Sequence, residues 1–426
     1  MKLNNSLFVQ ELIKYSQFLR DKLIKNPRLK IYFLYLAVIL GLILINYFIT
    51  IRIYGGQEFF VNWASVRLLF IQGINPYSQE SIKLLSDLAK ELFILPVGSN
   101  FQFIAPLYSL FIYIPFGLIQ NFNLSRAIWM TAMELSAFVS GFFILIIFNW
   151  RPDKLIRKIL FTFSLLFFYM ILNFLSGSNL VFLNFLFILG LMWVLDGKYV
   201  IAGIVLALLT ISIQTFFIPL IAVFIYVIHK KAWNFPIWFF ITIILLSLMA
   251  SLFITEWPLG LFREILRNPI YANVGLPGDI VNQWLRTTYP WIWNGLALIL
   301  LAILFYEFLF INNEKDSFLW KISLTLVFNP LIWMRTDLNI MVTLLLPFGL
   351  IFSQWINRDK RVGLNLMVFF STIFSFGLLG LGLITQSMLF IKSYPFFFYL
   401  FPVIVLLINL YWIRWWLVRN IPPPFF

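Results

Sequence analysis

Two polar segments, 53–102 and 256–290, hold most of the residues in this chain that need water. The first opens Tyr54-Gly55-Gly56-Gln57-Glu58-Phe59-Phe60-Val61-Asn62-Trp63-Ala64, continues to Arg67, and reaches Gly73-Ile74-Asn75-Pro76-Tyr77. An apolar run ends just before it, so Glu58 is a carboxylate close to a membrane surface and followed by aromatics. Partial desolvation moves a carboxylate toward the pH range in which it can accept a proton, which is general-base chemistry. On spacing alone, a surface charge beside a helix N-terminus accounts for Glu58 slightly better. The chain has no cysteine and a single histidine, His229, in a short basic loop with Lys230 and Lys231. Disulfides, iron–sulfur clusters, haem and His/Cys zinc sites are therefore essentially excluded. No D-x-D pair occurs in the polar segments, so neither a metal nor a cofactor is expected.

Those residues must be positioned by a membrane-embedded frame. Of 426 residues, 62% are hydrophobic and 11% charged, with a mean hydropathy of +0.93. A soluble domain is nearer half apolar and a quarter charged, and no globular core hides this much apolar surface. Weak period-2 alternation argues against an outer-membrane barrel. The expected fold class is an all-α polytopic membrane protein. A net charge of +14 invites a nucleic-acid reading, but the basic residues sit in short clusters between apolar runs, as topology signals do. No nucleic-acid partner is expected.

A span needs about 20 apolar residues. The pattern predicts twelve, near 31–52, 103–120, 127–149, 158–175, 179–195, 199–228, 235–255, 291–311, 319–334, 339–356, 363–386 and 395–418. The stretch 199–228 reads either as one tilted helix or as two broken halves. Before the first span, Leu7, Phe8, Leu12, Ile13, Leu19, Leu23 and Ile24 recur at helical spacing against Lys14, Arg20, Lys22 and Lys25. Residues 1–30 are expected to be a cytoplasmic amphipathic segment lying on the membrane, and 31–426 a single transmembrane domain. Taking 199–228 as one span, the basic residues of the N-terminus, of 229–231, of 358–361 and of the Arg414/Arg419 tail all fall inside, so both termini are expected in the cytoplasm. The cluster Arg151, Lys154, Arg157 and Lys158 disagrees and falls outside. Residues 53–102, 256–290 and 335–338 are then external. No internal repeat is visible at the level of motifs, which weakens inverted-repeat transporter readings.

Several strings resemble a known family. Glu58-Phe59-Phe60-Val61-Asn62-Trp63-Ala64, with Arg67-Leu68-Leu69 and Gly73-Ile74-Asn75-Pro76-Tyr77, is similar to the first external loop of glycosyltransferase family 87, whose pattern is roughly D-F-x-V-Y-W-x-A-x-R-x-L-L-x-G-x-x-P-Y. Gln102-Phe103-Ile104-Ala105-Pro106-Leu107, with Pro115, looks like that family's Y-x-P-P-L stretch. Asn329-Pro330-Leu331-Ile332-Trp333-Met334-Arg335-Thr336-Asp337, with Pro347, looks like its S-P-x-x-W motif. Gly177-Ser178-Asn179 and Asn282-Gln283 sit where the family often has G-Q-x-N and N-Q-S. The resemblance runs in order over about residues 30–360. The chain departs from the pattern in having Glu58 for Asp, Asn62 for a frequent Tyr, Ser178 for Gln, and Arg335-Thr336-Asp337 where a His is common.

The resemblance implies a GT-C fold and an inverting glycosyltransferase that uses a polyprenyl-phosphate-sugar donor. The sugar by family precedent is mannose, with arabinofuranose or glucose as alternatives, and the acceptor is a lipid or glycan. It implies Glu58 as the base. It also implies that Arg67, Arg286 and Arg335, with Asn62, Trp63, Asn282, Gln283 and Asp337, bind donor phosphate or substrate. Arg forms bidentate contacts with phosphate, and phosphate leaves well enough that no divalent ion is required. Arg263 and Arg267 fit better as snorkelling interfacial residues. Asp337 either binds acceptor or pairs with Arg335. Trp63, Trp284, Trp291 and Trp293 fit an interfacial aromatic belt at least as well as a sugar platform. Glu134, inside a span, is expected to pair with Arg126. The alternatives to the enzyme are a lipid-linked-saccharide flippase and a GT-C-fold scaffold without catalysis.

Overall fold

In lipid every backbone polar group must be satisfied within its own segment, so long Leu-, Ile- and Phe-rich runs fold as helices. The computed structural model describes residues 27–93, 101–267, 290–310, 314–332, 338–380 and 396–417, and these contain helices and no strand. On the first half lie α1 (Pro27–Arg52), α2 (Gln57–Phe70), α3 (Gln79–Leu92) and α4 (Leu110–Gly117, preceded by a 3₁₀ turn over Leu107–Ser109). They are followed by α5 (Phe122–Ile147), α6 (Lys154–Leu166), α7 (Phe168–Ser176) and α8 (Leu180–Leu195). Next come α9 (Tyr199–Ala207), a 3₁₀ turn over Leu208–Ser212, α10 (Ile213–His229), α11 (Asn234–Ser251) and α12 (Trp257–Arg267). The last are α13 (Pro290–Phe310), α14 (Lys315–Ile332), α15 (Leu345–Arg358, after a 3₁₀ segment over Leu338–Leu344), α16 (Lys360–Ser371) and α17 (Phe401–Leu417). The amphipathic segment expected before α1 lies outside the described residues.

Each of the twelve expected segments contains helix among the described residues. Among the described residues, eight helical stretches are long and apolar enough to cross a membrane: Ile31–Arg52, Phe122–Ile147, Lys154–Ser176, Tyr199–His229 (counted end to end across its 3₁₀ turn), Asn234–Ser251, Leu338–Arg358, Lys360–Gly380 and Phe398–Leu417. Leu107–Gly117, Leu180–Leu195 and Gly295–Leu309 are apolar but shorter. The centre of the bundle is α14 together with the stretch Leu338–Arg358, which is 89% buried, whereas α1 stands at the periphery with 11% of its apolar stretch buried.

One expected span is corrected, and one open reading is decided. The segment 103–120 does not cross. Its eleven helical residues, Leu107–Gly117, reach roughly 17–20 Å at about 1.5–2 Å per residue, short of a bilayer core about 30 Å thick. Its C-terminal end and the start of α5 stay beside α2: Phe59 meets the rings of Tyr113 and Phe116, each at 6.1 Å, and Phe60 and Trp63 meet Phe122, the first residue of α5, at 5.9 and 5.4 Å. α5 therefore starts on the face where α2 lies and ends on the opposite one. There Lys360 forms an ion pair with Asp153, so the cluster Arg151–Lys158 shares a face with Arg358–Arg361 instead of opposing it.

The stretch 199–228 takes the broken reading. A Cβ on Gly203 would lie 2.6 Å from the Phe235 carbonyl oxygen and 3.1 Å from the Phe239 nitrogen, at the start of α11. Phe224 of α10 also meets Phe235 and Phe239, with ring centroids 5.1 and 4.9 Å apart. In a straight helix Gly203 and His229 would be about 39 Å apart, too far for both to sit beside the first turns of α11. The chain folds back at Leu208–Ser212, so Lys198 and His229-Lys230-Lys231 lie on one face. Gly177, just before α8, abuts Phe59, so the far end of α8 puts Lys198 opposite Glu58; the basic loops at 151–158, 198, 229–231 and 358–361 thus share a face, and Glu58 lies on the other. The cluster that disagreed with the charge count no longer does.

Candidate active site around Glu58

Glu58 stands in the first turn of α2, and two glycines bring that turn into place. Gly56, the N-cap, has a left-handed backbone with φ of 80°, and its N–H donates to the Leu175 carbonyl at 2.7 Å. Gly177, at φ 74°, ends α7 in the same left-handed form. A Cβ there would lie 2.5 Å from Phe59 Cβ and 3.3 Å from Gly56 Cα, so only glycine permits this approach. Phe59 is fully buried and stacks on Trp129 at 5.6 Å and 21°, while the Trp129 indole N–H donates to the Gly177 carbonyl at 3.1 Å. With Phe59 and Phe60 locked inward, the α2 helix must present Glu58 outward, and Glu58 is exposed.

A chain of asparagines meets that carboxylate. Asn339 Nδ2 donates to Glu58 Oε1 at 2.6 Å. Asn173 Nδ2 donates to the Asn339 carbonyl at 3.1 Å and to the Tyr169 carbonyl at 2.7 Å. Tyr113 is wholly buried, its ring 6.1 Å from that of Phe59. A buried amide is costly unless it is hydrogen-bonded. These asparagines, set in apolar helices, were the available sequence signal for the site, yet Asn173 and Asn339 stand in no recognised motif. Asn179 belongs to the string Gly177-Ser178-Asn179, which the fold brings against Phe59.

Of the expected site residues, Asn62 shares the outward face, its amide donating to the Glu58 backbone carbonyl at 3.0 Å. Arg67 and Trp63 are not brought to the carboxylate. Nine residues after Glu58, Arg67 is rotated by about 900° and projects from the opposite side of α2. Its guanidinium donates to the Gly117 carbonyl at 3.0 Å and lies 5.1 Å from the Trp63 ring centroid. Trp63 is buried, with its indole N–H donating to the Ile119 carbonyl at 3.1 Å. Both residues bolt α2 to the end of α4. Asn282, Gln283, Arg286, Arg335 and Asp337 lie outside the described residues, as does Trp284.

The expected Arg126–Glu134 pair does not form. Eight residues separate them on α5, about 12 Å of helix. Glu134 instead accepts from Asn46 Nδ2 of α1 at 2.9 Å, and the same amide donates to Thr131 at 3.0 Å. Glu134 is one polar group in an otherwise apolar lateral groove of about 820 Å³ between α1, α5, α6 and α7. The groove runs along α1 from Leu34 to Ile53 and ends at Phe174 and Leu175, beside the residues that hold the start of α2. Among the described residues no cluster of His, Asp or Glu could hold a metal ion. The chain matches no protein-family model, no curated protein and no solved structure.

Proposed function

We propose that this chain is an inverting glycosyltransferase that moves a sugar, mannose by the family resemblance, from a polyprenyl-phosphate donor to a hydroxyl of a lipid or glycan acceptor. The observation that carries the reading is an exposed carboxylate, Glu58, oriented by Asn339 beside the end of a lateral apolar groove. A lipid-linked donor needs that combination: a lateral slot for its chain, and a base where its headgroup emerges. In the step proposed, Glu58 takes the proton of the acceptor hydroxyl as that oxygen attacks the sugar's anomeric carbon. The bond from that carbon to the phosphate oxygen breaks, its electron pair leaves on the phosphate, and the configuration inverts. The shared face of the basic loops, read by the positive-inside rule, supports an orientation in a cell membrane with that face and both termini cytoplasmic and the Glu58 face external.

A lipid-linked-saccharide flippase is the second reading, favoured by the discontinuous α9–α10 hairpin, since broken helices are common in transporters. Against it, polar groups at that bend are tied within the fold: Tyr108 donates to Thr210 at 2.9 Å, and Asn329 donates to the Thr215 carbonyl at 2.8 Å. Transfer of radiolabelled sugar from a polyprenyl-phosphate donor by purified protein tests the enzyme reading, and transfer is expected to survive EDTA. Lipid-sugar translocation into vesicles without transfer would favour the flippase.

A further inference from the structure

Arg126, in the second turn of α5, is 2% exposed. Its Nη1 donates to the Ile53 carbonyl at 3.1 Å and its Nη2 to the Leu175 carbonyl at 3.0 Å, while its Nε has no partner. Both acceptors are neutral. A buried cation without a counter-ion is costly to keep, and the acid that spacing suggested for it, Glu134, is bound elsewhere. The backbone is shaped around this guanidinium: a Cβ on Gly55 would come within 2.8 Å of Nη2, and one on Gly56 within 2.5 Å of Nε.

Next to Arg126 is a small cavity of about 180 Å³ with a polar lining. Arg52, Thr50, Tyr54 and Asn123 line it, and no acidic residue does. It opens at the N-terminus of α5, a 26-residue helix, where exposed N–H groups and the helix dipole favour an anion. Ile53 lines both this cavity and the lateral groove, and Leu175, whose carbonyl holds Arg126, lines the groove as well.

We propose that Arg126 and Arg52 form a pocket for the phosphate at the end of a single long hydrocarbon chain that lies in the groove. The pocket rests on the reading of the groove as a lipid-chain site, not on sugar transfer. It assigns phosphate recognition to two arginines on α1 and α5 that the sequence strings did not single out.

The test uses the full chain in nanodiscs and follows binding by native mass spectrometry with a C55 polyprenyl phosphate, the matching C55 alcohol, phosphatidylglycerol and inorganic phosphate. The polyprenyl phosphate is expected to bind and the alcohol to bind at least tenfold more weakly, because a charge-assisted hydrogen bond is worth about a factor of ten or more. Inorganic phosphate alone is expected to be weak and phosphatidylglycerol not to compete. Arg126→Lys should weaken binding, and the exposed Arg52→Gln, which leaves the buried contacts intact, should weaken it about tenfold. Equal binding of phosphate and alcohol, competition by phosphatidylglycerol, or unchanged affinity in both variants would overturn the proposal. Phosphate-dependent binding without sugar transfer would remove the glycosyltransferase reading and leave the pocket standing.

Discussion

Asn339 and Glu58 stand 281 positions apart in the chain, yet the amide of one donates to the carboxylate of the other at 2.6 Å. Asn339 opens the 3₁₀ segment that leads into the most buried long stretch of the bundle, and Glu58 starts a helix on its outer face. The base proposed for catalysis is thereby fixed to the core. Asn173 extends the same line inward by holding the Asn339 backbone carbonyl.

Glu58→Gln should lose about 10²–10⁴-fold in turnover, the usual contribution of a general base, while keeping donor affinity. Glu58→Asp should retain part of the activity. Asn339→Ala removes one hydrogen bond to a charged group, worth about 1.5–3 kcal/mol, and should lower kcat by roughly ten- to a hundredfold. Single-turnover transfer assays separate these effects from binding. Transfer by Glu58→Gln within a few-fold of wild type would reject the assignment.

Gly177→Ala and Gly197→Ala share a left-handed backbone, at φ 74° and 73°, but only the first has a neighbour in the way. Gly197→Ala should cost about 1 kcal/mol of conformational strain. Gly177→Ala adds a collision with Phe59 Cβ at 2.5 Å, and should both melt at a lower temperature and lose transfer as the first turn of α2 is displaced. Thermal unfolding of the two detergent-solubilised variants checks this, and equal melting temperatures would contradict the close approach.

The native chain lacks cysteine, so single cysteines report topology without background. Gln79→Cys should react with an impermeant thiol reagent in intact cells. Arg151→Cys, Lys198→Cys and Lys231→Cys should react only after permeabilisation. Labelling of Arg151→Cys or Lys198→Cys from outside would contradict the fold-back at Leu208–Ser212 or the non-crossing α4.

Tyr77, between α2 and α3, donates its hydroxyl to the Ala105 carbonyl at 2.6 Å. Burial, with a smaller push from Tyr108, holds it well above the usual phenol range. A group whose proton is held more tightly when folded contributes stability at full strength below the unfolded pKa, about 10 for tyrosine, and loses it as pH rises beyond that. The wild type should therefore lose thermal stability above about pH 10 more steeply than Tyr77→Phe. Parallel melting curves against pH for the two proteins would show that Tyr77 does not carry the effect.

Composition determined that this is a membrane protein, because 62% hydrophobic residues cannot be hidden from water in a globular core, and the weak period-2 alternation pointed to helices. Apolar run length located the helices. The sequence did not determine how those helices connect through the bilayer. A straight and a bent 199–229 satisfy the same hydropathy, and the contacts of both Gly203 and Phe224 with the start of α11 distinguish them. Charge partners were equally open: Arg126 and Glu134 invite pairing on one helix, but a hydrogen bond depends on three-dimensional distance, and Asn46 of α1 reaches Glu134 first. Asn339 shows in the sequence only as a polar residue in an apolar run, since its partner is fixed only once the fold has brought it across the chain to Glu58.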